Sequence, residues 1–155
     1  MSQFTDYTFM LIILVVCLVA LVPLIFFLLT LQRTLAAISP ENRMMSPGKV
    51  WLWCIPLFNL VWQFIVVQKL SDSIMLECQR LNIPTSERRP TYNIGLAYCI
   101  TTIAGGIIPI IGPLGAIVCW IMYWVKVSEY KRLIHANQHN FMLDAEQNVF
   151  HSNSL

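Results

Sequence analysis

Long uncharged runs dominate the pattern of hydrophobic and polar positions along this chain. Residues 7–32 form one run of 26 residues without Asp, Glu, Lys or Arg, and residues 91–125 form another of 35 residues. About 20 apolar residues span the hydrocarbon core of a bilayer. The first run therefore predicts one membrane helix that continues to Ile38 and stops at Ser39-Pro40, and the second run is long enough for two helices.

The stretch between these runs, residues 50–83, begins as an apolar segment that contains polar residues and a proline. Pro56 predicts a break in the helix. Asn59 and Gln63 are four residues apart, which places them on one helical face. Amides at membrane depth have to face a cavity, a partner helix or water. The three residues are therefore candidates for a pore or polar intramembrane site, with hydrogen bonding between helices as the alternative.

The second half of this stretch, residues 68–83, is amphipathic. Leu70, Ile74 and Cys78 continue an apolar stripe at helical spacing. The polar residues lie mostly off this stripe, which predicts a solvated face. We expect that face to dock a protein partner in the cytoplasm, and its candidate residues are Asp72, Glu77 and Arg80.

Proline and glycine divide the second uncharged run at Pro109 and Gly112-Pro113. Two helices are predicted, over about residues 91–108 and from 114 to about 134. Small residues allow helix backbones to approach closely in lipid, so these helices are expected to pack against neighbours and to form a homo-oligomer. The candidate packing residues are Gly95, Gly105, Gly106, Gly112 and Gly115.

The distribution of basic residues distinguishes two possible topologies. If the central stretch spans the membrane, there are four crossings, and seven of the ten Lys and Arg residues lie inside. If it enters and leaves on one face, there are three crossings, the N-terminus lies outside, and all ten lie inside. The positive-inside rule favours the second arrangement. The predicted fold is an all-α polytopic membrane bundle with three to four transmembrane helices and a broken or re-entrant central helix.

Composition limits the function further. The chain is 57% hydrophobic and 12% charged, against roughly a quarter charged in soluble domains, and a net charge of +2 is too small and diffuse for nucleic-acid binding. Residues 1–136 are expected to form the membrane domain, and residues 137–155 a polar, disordered tail. The predicted partners are the lipid bilayer and further copies of the chain.

Cysteine and histidine residues give little sign of a cofactor. The five cysteines lie far apart without metal-ligand spacing and are read as small hydrophobes, with redox sensing at Cys78 as the alternative. His135 and His139 have a spacing compatible with metal binding, but no glutamate follows His135 as in H-E-x-x-H. No phosphate-binding, dinucleotide or nucleophile-elbow motif occurs. We expect no metal, no cofactor and no enzymatic activity.

The central stretch also resembles a group of small, uncharacterised bacterial multi-pass membrane proteins. The resemblance covers about residues 31–132 and implies location in the bacterial inner membrane, without an assigned activity. It is carried by Ser39-Pro40-Glu41-Asn42-Arg43, Pro47-Gly48-Lys49-Val50-Trp51-Leu52, Ile55-Pro56-Leu57-Phe58-Asn59-Leu60-Val61-Trp62-Gln63-Phe64, Lys69-Leu70-Ser71-Asp72-Ser73 and Trp124-Val125-Lys126.

The sequence thus predicts a non-enzymatic, homo-oligomeric integral membrane protein that acts as a scaffold or docking subunit. The alternative is a channel for ions or small solutes, with the broken central helix lining the pore.

Overall fold

The fold of the described residues, 2–105 and 111–152 in a computed structural model, consists of helices joined by short connections, without a strand. The predicted all-α class is confirmed. The elements in chain order are α1 (Ser2–Ala37), a 3-10 helix (Pro47–Cys54), α2 (Pro56–Arg80), α3 (Tyr92–Gly105) and α4 (Ile111–Ser152).

Helix α1 ends where the sequence predicts. Its last residue is Ala37, two residues before Ser39-Pro40, because proline disfavours helical backbone in the residue before it. The last carbonyls of a helix need donors from outside it. Arg43 supplies them, donating from Nη2 to the carbonyl oxygens of Ala36 at 3.2 Å and Ile38 at 2.8 Å.

The central stretch is broken at Pro56, as predicted. The 3-10 helix ends at Cys54, and Ile55 adopts extended backbone with φ −85° and ψ 113°. Helix α2 then begins at Pro56, where the missing N–H of proline costs no helical hydrogen bond. The sequence does not reveal that the segment before the break is a 3-10 helix instead of an α-helix.

The segments before and after the Pro56 break fold back on each other. The Met44 N–H donates to Ser73 Oγ at 2.9 Å, and Trp62 Nε1 donates to the Lys49 carbonyl at 3.0 Å. The chain therefore enters the stretch beside the residues through which it leaves. Leu57, next to the break, is 86% exposed, so the turn of this hairpin presents an apolar tip.

The connection from α2 to α3 is tightly held. Asn82 has φ 52°, and the Ile83 N–H bonds to the Cys78 carbonyl at 2.9 Å, which is a Schellman ending. Thr91 has φ 67° although it is β-branched. Next to it, Ser71 Oγ donates to the buried Pro90 carbonyl at 2.7 Å and fixes this strained turn against α2.

Contacts between helices define their directions. Trp124 Nε1 donates to Thr30 Oγ1 at 3.0 Å, and Gln138 Nε2 donates to the Ala37 carbonyl at 2.7 Å, so α1 and α4 run parallel. Helix α3 runs antiparallel to α2, because Gly95 faces Val67 while Pro90 faces Ser71. It also runs antiparallel to α4. Helices α1, α2 and α4 therefore share one direction.

Aromatic rings from four elements meet at the middle of the bundle around Phe27, which is fully buried. Five rings lie edge-on to it with centroids 5.6 to 6.5 Å away. Such pairs stabilise by about 0.5–1.5 kcal/mol beyond the burial of their area. The five belong to Trp53 in the 3-10 helix, Tyr98 in α3, and Trp120, Tyr123 and Trp124 in α4.

Helix α4 differs from its predicted length. The sequence places its end near Ile134 and a disordered tail over residues 137–155, whereas the helix continues to Ser152. Gln138 anchors the extension through its bond to α1, and the Arg80 guanidinium lies 5.2 Å from the Phe141 ring centroid. The predicted turn at Pro109 lies outside the described residues.

One of the described helices is both long and apolar enough to cross a membrane. By length and composition, Asp6–Ala37 is apolar enough to cross a bilayer. The described part of α3 has 14 residues, fewer than the roughly 20 that a crossing needs. The three or four crossings predicted from the sequence are therefore not established by helix length.

Gly95 offers a test of this packing. A Cβ atom there would lie 2.5 Å from Val67 Cγ1 and 2.9 Å from Tyr123 Cε2. Overpacking costs about 1–3 kcal/mol, more than the gain of up to about 1 kcal/mol from removing a helical glycine. Gly95→Ala should lower the melting temperature in detergent. Gly115→Ala, where nothing lies within 4 Å of the added atom, should not. Equal melting temperatures would contradict the packing of α2, α3 and α4.

Candidate functional site

The most connected polar group of the protein is the carboxylate of Glu77, on α2. It is fully buried. Oε1 accepts hydrogen bonds from Ser39 Oγ at 3.0 Å, Arg80 Nη2 at 2.6 Å and Gln138 Nε2 at 3.0 Å, and Oε2 accepts one from Asn42 Nδ2 at 2.8 Å. We call these five residues the Glu77 cluster. It joins α2 to α4 and to the connection that follows α1.

Two opposing effects set the charge of Glu77. Burial raises the pKa of the carboxyl, but hydrogen bonds from Arg80, Asn42, Gln138 and Ser39 lower it, and together they bring the pKa to about 2. A carboxylate that accepts several hydrogen bonds is stabilised in its charged form. Glu77 is therefore ionised at neutral pH and is a structural anion, not a proton donor or acceptor.

Two further ion pairs lie at the same end of the bundle. Arg89 donates from Nε at 3.0 Å and from Nη2 at 2.6 Å to Asp72 Oδ1, and its guanidinium lies 4.6 Å from the Tyr92 ring centroid. Lys126 Nζ pairs with Glu87 Oε1. These pairs tie the α2–α3 connection to α2 and α4, and they add to the apolar core at this end of the bundle.

The predicted solvated face of residues 68–83 is wrong for Glu77. Its carboxylate is buried because Ser39, Asn42 and Gln138 supply donors that no pattern within α2 reveals. Arg80 remains partly exposed beside it, and the Asp72 side chain is 19% exposed. Docking of a partner at these residues stays a prediction, with Glu77 closed off inside the chain.

The intramembrane candidates lie at the other end of α2. Gln63 is 1% exposed, and its Oε1 has no hydrogen-bond partner in the described part of the chain. The amide nitrogen makes only a long bond of 3.5 Å to the Leu60 carbonyl. Asn59 is half-buried, and its Oδ1 is likewise buried without a partner. Pro56 sets the start of the helix that carries both.

The candidate packing glycines have different surroundings. Gly95 is buried in a tight contact between three helices. Gly105 is half-buried at the end of α3, whereas Gly115 has no neighbouring atom within 4 Å of an added Cβ. Gly112 lies in the first turn of α4, and Gly106 lies outside the described residues. Of Gly95 and Gly115, whose surroundings are described, Gly95 packs closely within one chain.

Cys78, His135 and His139 are the remaining candidates from the sequence. Burial, with a contribution from the Glu77 charge, raises the pKa of the Cys78 thiol to about 11, which leaves it protonated and unreactive at neutral pH. His135 and His139 are exposed on α4. Across residues 2–105 and 111–152, no group of three or more His, Cys, Asp or Glu side chains is placed to hold a metal ion.

Comparison with known proteins gives one match. The family described as "Domain of unknown function (DUF4328)" matches residues 1–92, which comprise α1, the 3-10 helix, α2 and the connection to α3. No curated protein matches the chain. No solved structure matches it. The matched region contains Ser39, Asn42, Glu77 and Arg80, whereas Gln138 lies outside it.

Removal of the Glu77 carboxylate tests the cluster. Breaking a buried ion pair costs about 3–5 kcal/mol, and since Arg80 is partly exposed we expect about 3 kcal/mol for Glu77→Ala. The melting temperature in detergent should fall by about 6 to 12 °C. The matched control, Glu146→Ala, removes an exposed carboxylate of α4 and should change little.

The same cluster predicts a pH dependence. A carboxyl whose pKa is lowered from 4.5 to about 2 stabilises the fold fully above its ordinary pKa, and this stabilisation is lost as the pH falls towards 2. The difference in melting temperature between the wild type and Glu77→Gln should be constant from neutral pH down to about 5 and shrink below 4.5. A difference that does not depend on pH would contradict the assignment.

Proposed function

Since the chain belongs to the DUF4328 family, whose function is unknown, we propose a function from the arrangement of its residues. The protein is a non-enzymatic integral membrane protein of the bacterial inner membrane. It acts as a homo-oligomeric scaffold, with its polar end in the cytoplasm.

The proposal rests mainly on one observation. Apolar surface and charged surface lie at different ends of the bundle. The ends of α2, α3 and α4 opposite the Glu77 cluster expose large apolar side chains, which a soluble monomer rarely does over so wide an area. The N-terminal half of α1 is exposed in the same way, with Tyr7, Met10 and Val19 each more than 60% exposed. The exposed apolar residues at the ends of the other helices are Leu57, Phe58, Leu60, Val61, Ile100, Ile103, Leu114, Ile117, Val118, Ile121, Met122 and Val125.

Basic residues support an orientation with the N-terminus outside. All ten follow the exposed part of α1 in the chain. They lie near the end of α1, at the start of the 3-10 helix, in the connections, or in the parts of α2 and α4 on the Glu77 side of the Phe27 rings. The positive-inside rule then favours a cytoplasmic polar end. In this orientation α1, α3 and α4 cross the membrane, and the 3-10 helix with the start of α2 forms a re-entrant hairpin.

The helices reach different depths on the apolar side. From the level of the Phe27 rings, α1 extends about 31 Å back to Asp6, α4 about 18 Å back to Ile111, and α3 about 10 Å to Gly105, at 1.5 Å per residue. The N-terminal part of α1 therefore has no neighbour from the described part of its own chain. A second copy is the partner proposed for it, and the open face at Gly115 allows a similar contact on α4.

Fewer residues are available for docking a cytoplasmic partner than the sequence predicts. In the amphipathic segment, Ser71, Ser73, Ile74, Glu77 and Cys78 are buried in the chain itself. A partner would therefore meet the surface residues of this segment, which are Gln68, Lys69 and Gln79, together with the partly exposed Asp72 and Arg80.

The channel is the second candidate because Asn59 and Gln63 each have a buried carbonyl oxygen without a partner. Unpaired polar groups at this depth are costly and mark functional sites in membranes. However, Gln63 is enclosed by its own chain and does not face a surface that another copy would complete. This enclosure favours the scaffold.

Cross-linking through Cys17, which is exposed on α1, tests self-association. A variant with Cys17 as its only cysteine, reconstituted in liposomes, should form covalent dimers with a membrane-permeant bismaleimide. The yield should persist when the protein is diluted with empty lipid. Loss of dimers on dilution would contradict a stable oligomer, and ion flux that disappears in Asn59→Leu with Gln63→Leu would favour the channel.

A further inference from the structure

Four of the ten basic side chains have partners among the described residues. Arg80, Arg89 and Lys126 are ion-paired, and Arg43 donates to the carbonyls at the end of α1. Of the other six, Arg33 and Lys49 are exposed and lie beside the contact between α1 and the 3-10 helix. Arg33 is in the last turns of α1, and Lys49 is in the first turn of the 3-10 helix.

A hydrogen bond brings these two segments together. Trp51 Nε1 donates to Gln32 Oε1 at 2.7 Å, and Gln32 and Trp51 stand one and two residues from Arg33 and Lys49 respectively. Trp62 Nε1 donates to the Lys49 carbonyl at 3.0 Å, and the Lys49 N–H bonds to the Ser46 carbonyl at 3.0 Å. The backbone at Lys49 is thus held on both sides, although its side chain is free.

The surroundings of Arg33 and Lys49 are typical of a membrane interface. Tryptophan rings are enriched at the level of lipid headgroups, where their apolar faces meet acyl chains and their N–H groups find acceptors. The N–H groups of Trp51 and Trp62 both have acceptors, and both rings are at least partly exposed. Guanidinium and ammonium groups bind phosphate oxygens through charge-assisted hydrogen bonds. The acidic residue of the same connection, Glu41, contributes to the charge interactions of Arg80, a member of the Glu77 cluster.

We propose that Arg33 and Lys49, flanking the Gln32–Trp51 hydrogen bond, bind the phosphodiester headgroup of an anionic phospholipid in the cytoplasmic leaflet. The site rests on the proposed membrane orientation, since that orientation places both residues at the surface of the cytoplasmic leaflet. The bound lipid seals the junction between α1 and the re-entrant hairpin, where the chain itself supplies one side-chain hydrogen bond between Gln32 and Trp51.

Lipid retention by the purified full-length protein tests this site. The protein is incubated in detergent with equal amounts of phosphatidylglycerol and phosphatidylcholine that carry the same acyl chains, and the retained lipids are measured by mass spectrometry. Each basic side chain near an anionic surface contributes roughly a fivefold preference. The ratio of the two retained lipids should therefore fall by about 25-fold in the variant Arg33→Gln with Lys49→Gln.

Matched controls distinguish lipid binding at a local site from a general attraction of anionic lipid to positive charge. Lys131→Gln with Arg132→Gln removes the same charge about 8 Å further along α4 from Lys126 and should leave the ratio within about twofold of wild type. Arg33→Lys with Lys49→Arg should retain the preference. An unchanged ratio in the first variant, or an equal loss in the Lys131 and Arg132 variant, would overturn the site. Displacement of the lipid by excess inorganic phosphate would also overturn it.

Resistance to carbonate extraction from membranes distinguishes failure of this site from failure of the proposed function. If the wild type and all variants stay in the membrane while the lipid ratio is unchanged, only the lipid site is wrong. If the wild type itself is extracted, the membrane proposal is wrong and the lipid site with it.

Discussion

The Glu77 carboxylate lies in the protein interior, where an ionised group has to be surrounded by hydrogen-bond donors. Those donors come from three separate parts of the chain: Ser39 and Asn42 after α1, Arg80 on α2 itself, and Gln138 far along α4. Satisfying this one charge therefore fixes where the central stretch returns and how α4 lies against α1. The hairpin formed by the 3-10 helix and α2 can only point away from the cluster, towards the apolar end of the bundle.

The aromatic rings around Phe27 complement this constraint. They join α1, the 3-10 helix, α3 and α4 at the level where charged side chains give way to apolar ones. Beyond that level the described part of the chain offers little packing, and the surface is apolar. A charged anchor at one end and an aromatic layer in the middle leave the other end for lipid or further copies of the protein, and this division is the physical basis of the proposed scaffold.

Local chemistry in the sequence predicted much of this fold. The end of α1 before Ser39-Pro40 and the break at Pro56 follow from proline, whose effects act over one or two residues. Burial of Glu77 could not be predicted in this way, because its donor Gln138 is 61 residues away and the apolar stripe of α2 places Glu77 at its edge. Similarly, the first turn of the extension beyond Asn137 is held by contacts of Gln138 and Phe141 with other elements, which composition alone does not reveal.

The proposed arrangement in the membrane requires that the central stretch enter and leave on one side. Gly48 suits a direct test, since it is exposed and nothing lies within 4 Å of an added Cβ. In a background without the native cysteines, Gly48→Cys and Ser86→Cys flank the stretch, and Ser2→Cys reports the other side. An impermeant thiol reagent on intact cells should label position 2 and leave positions 48 and 86 unlabelled until lysis. Labelling of position 48 with protection of position 86 would mean that the stretch spans the membrane, and would contradict the re-entrant hairpin.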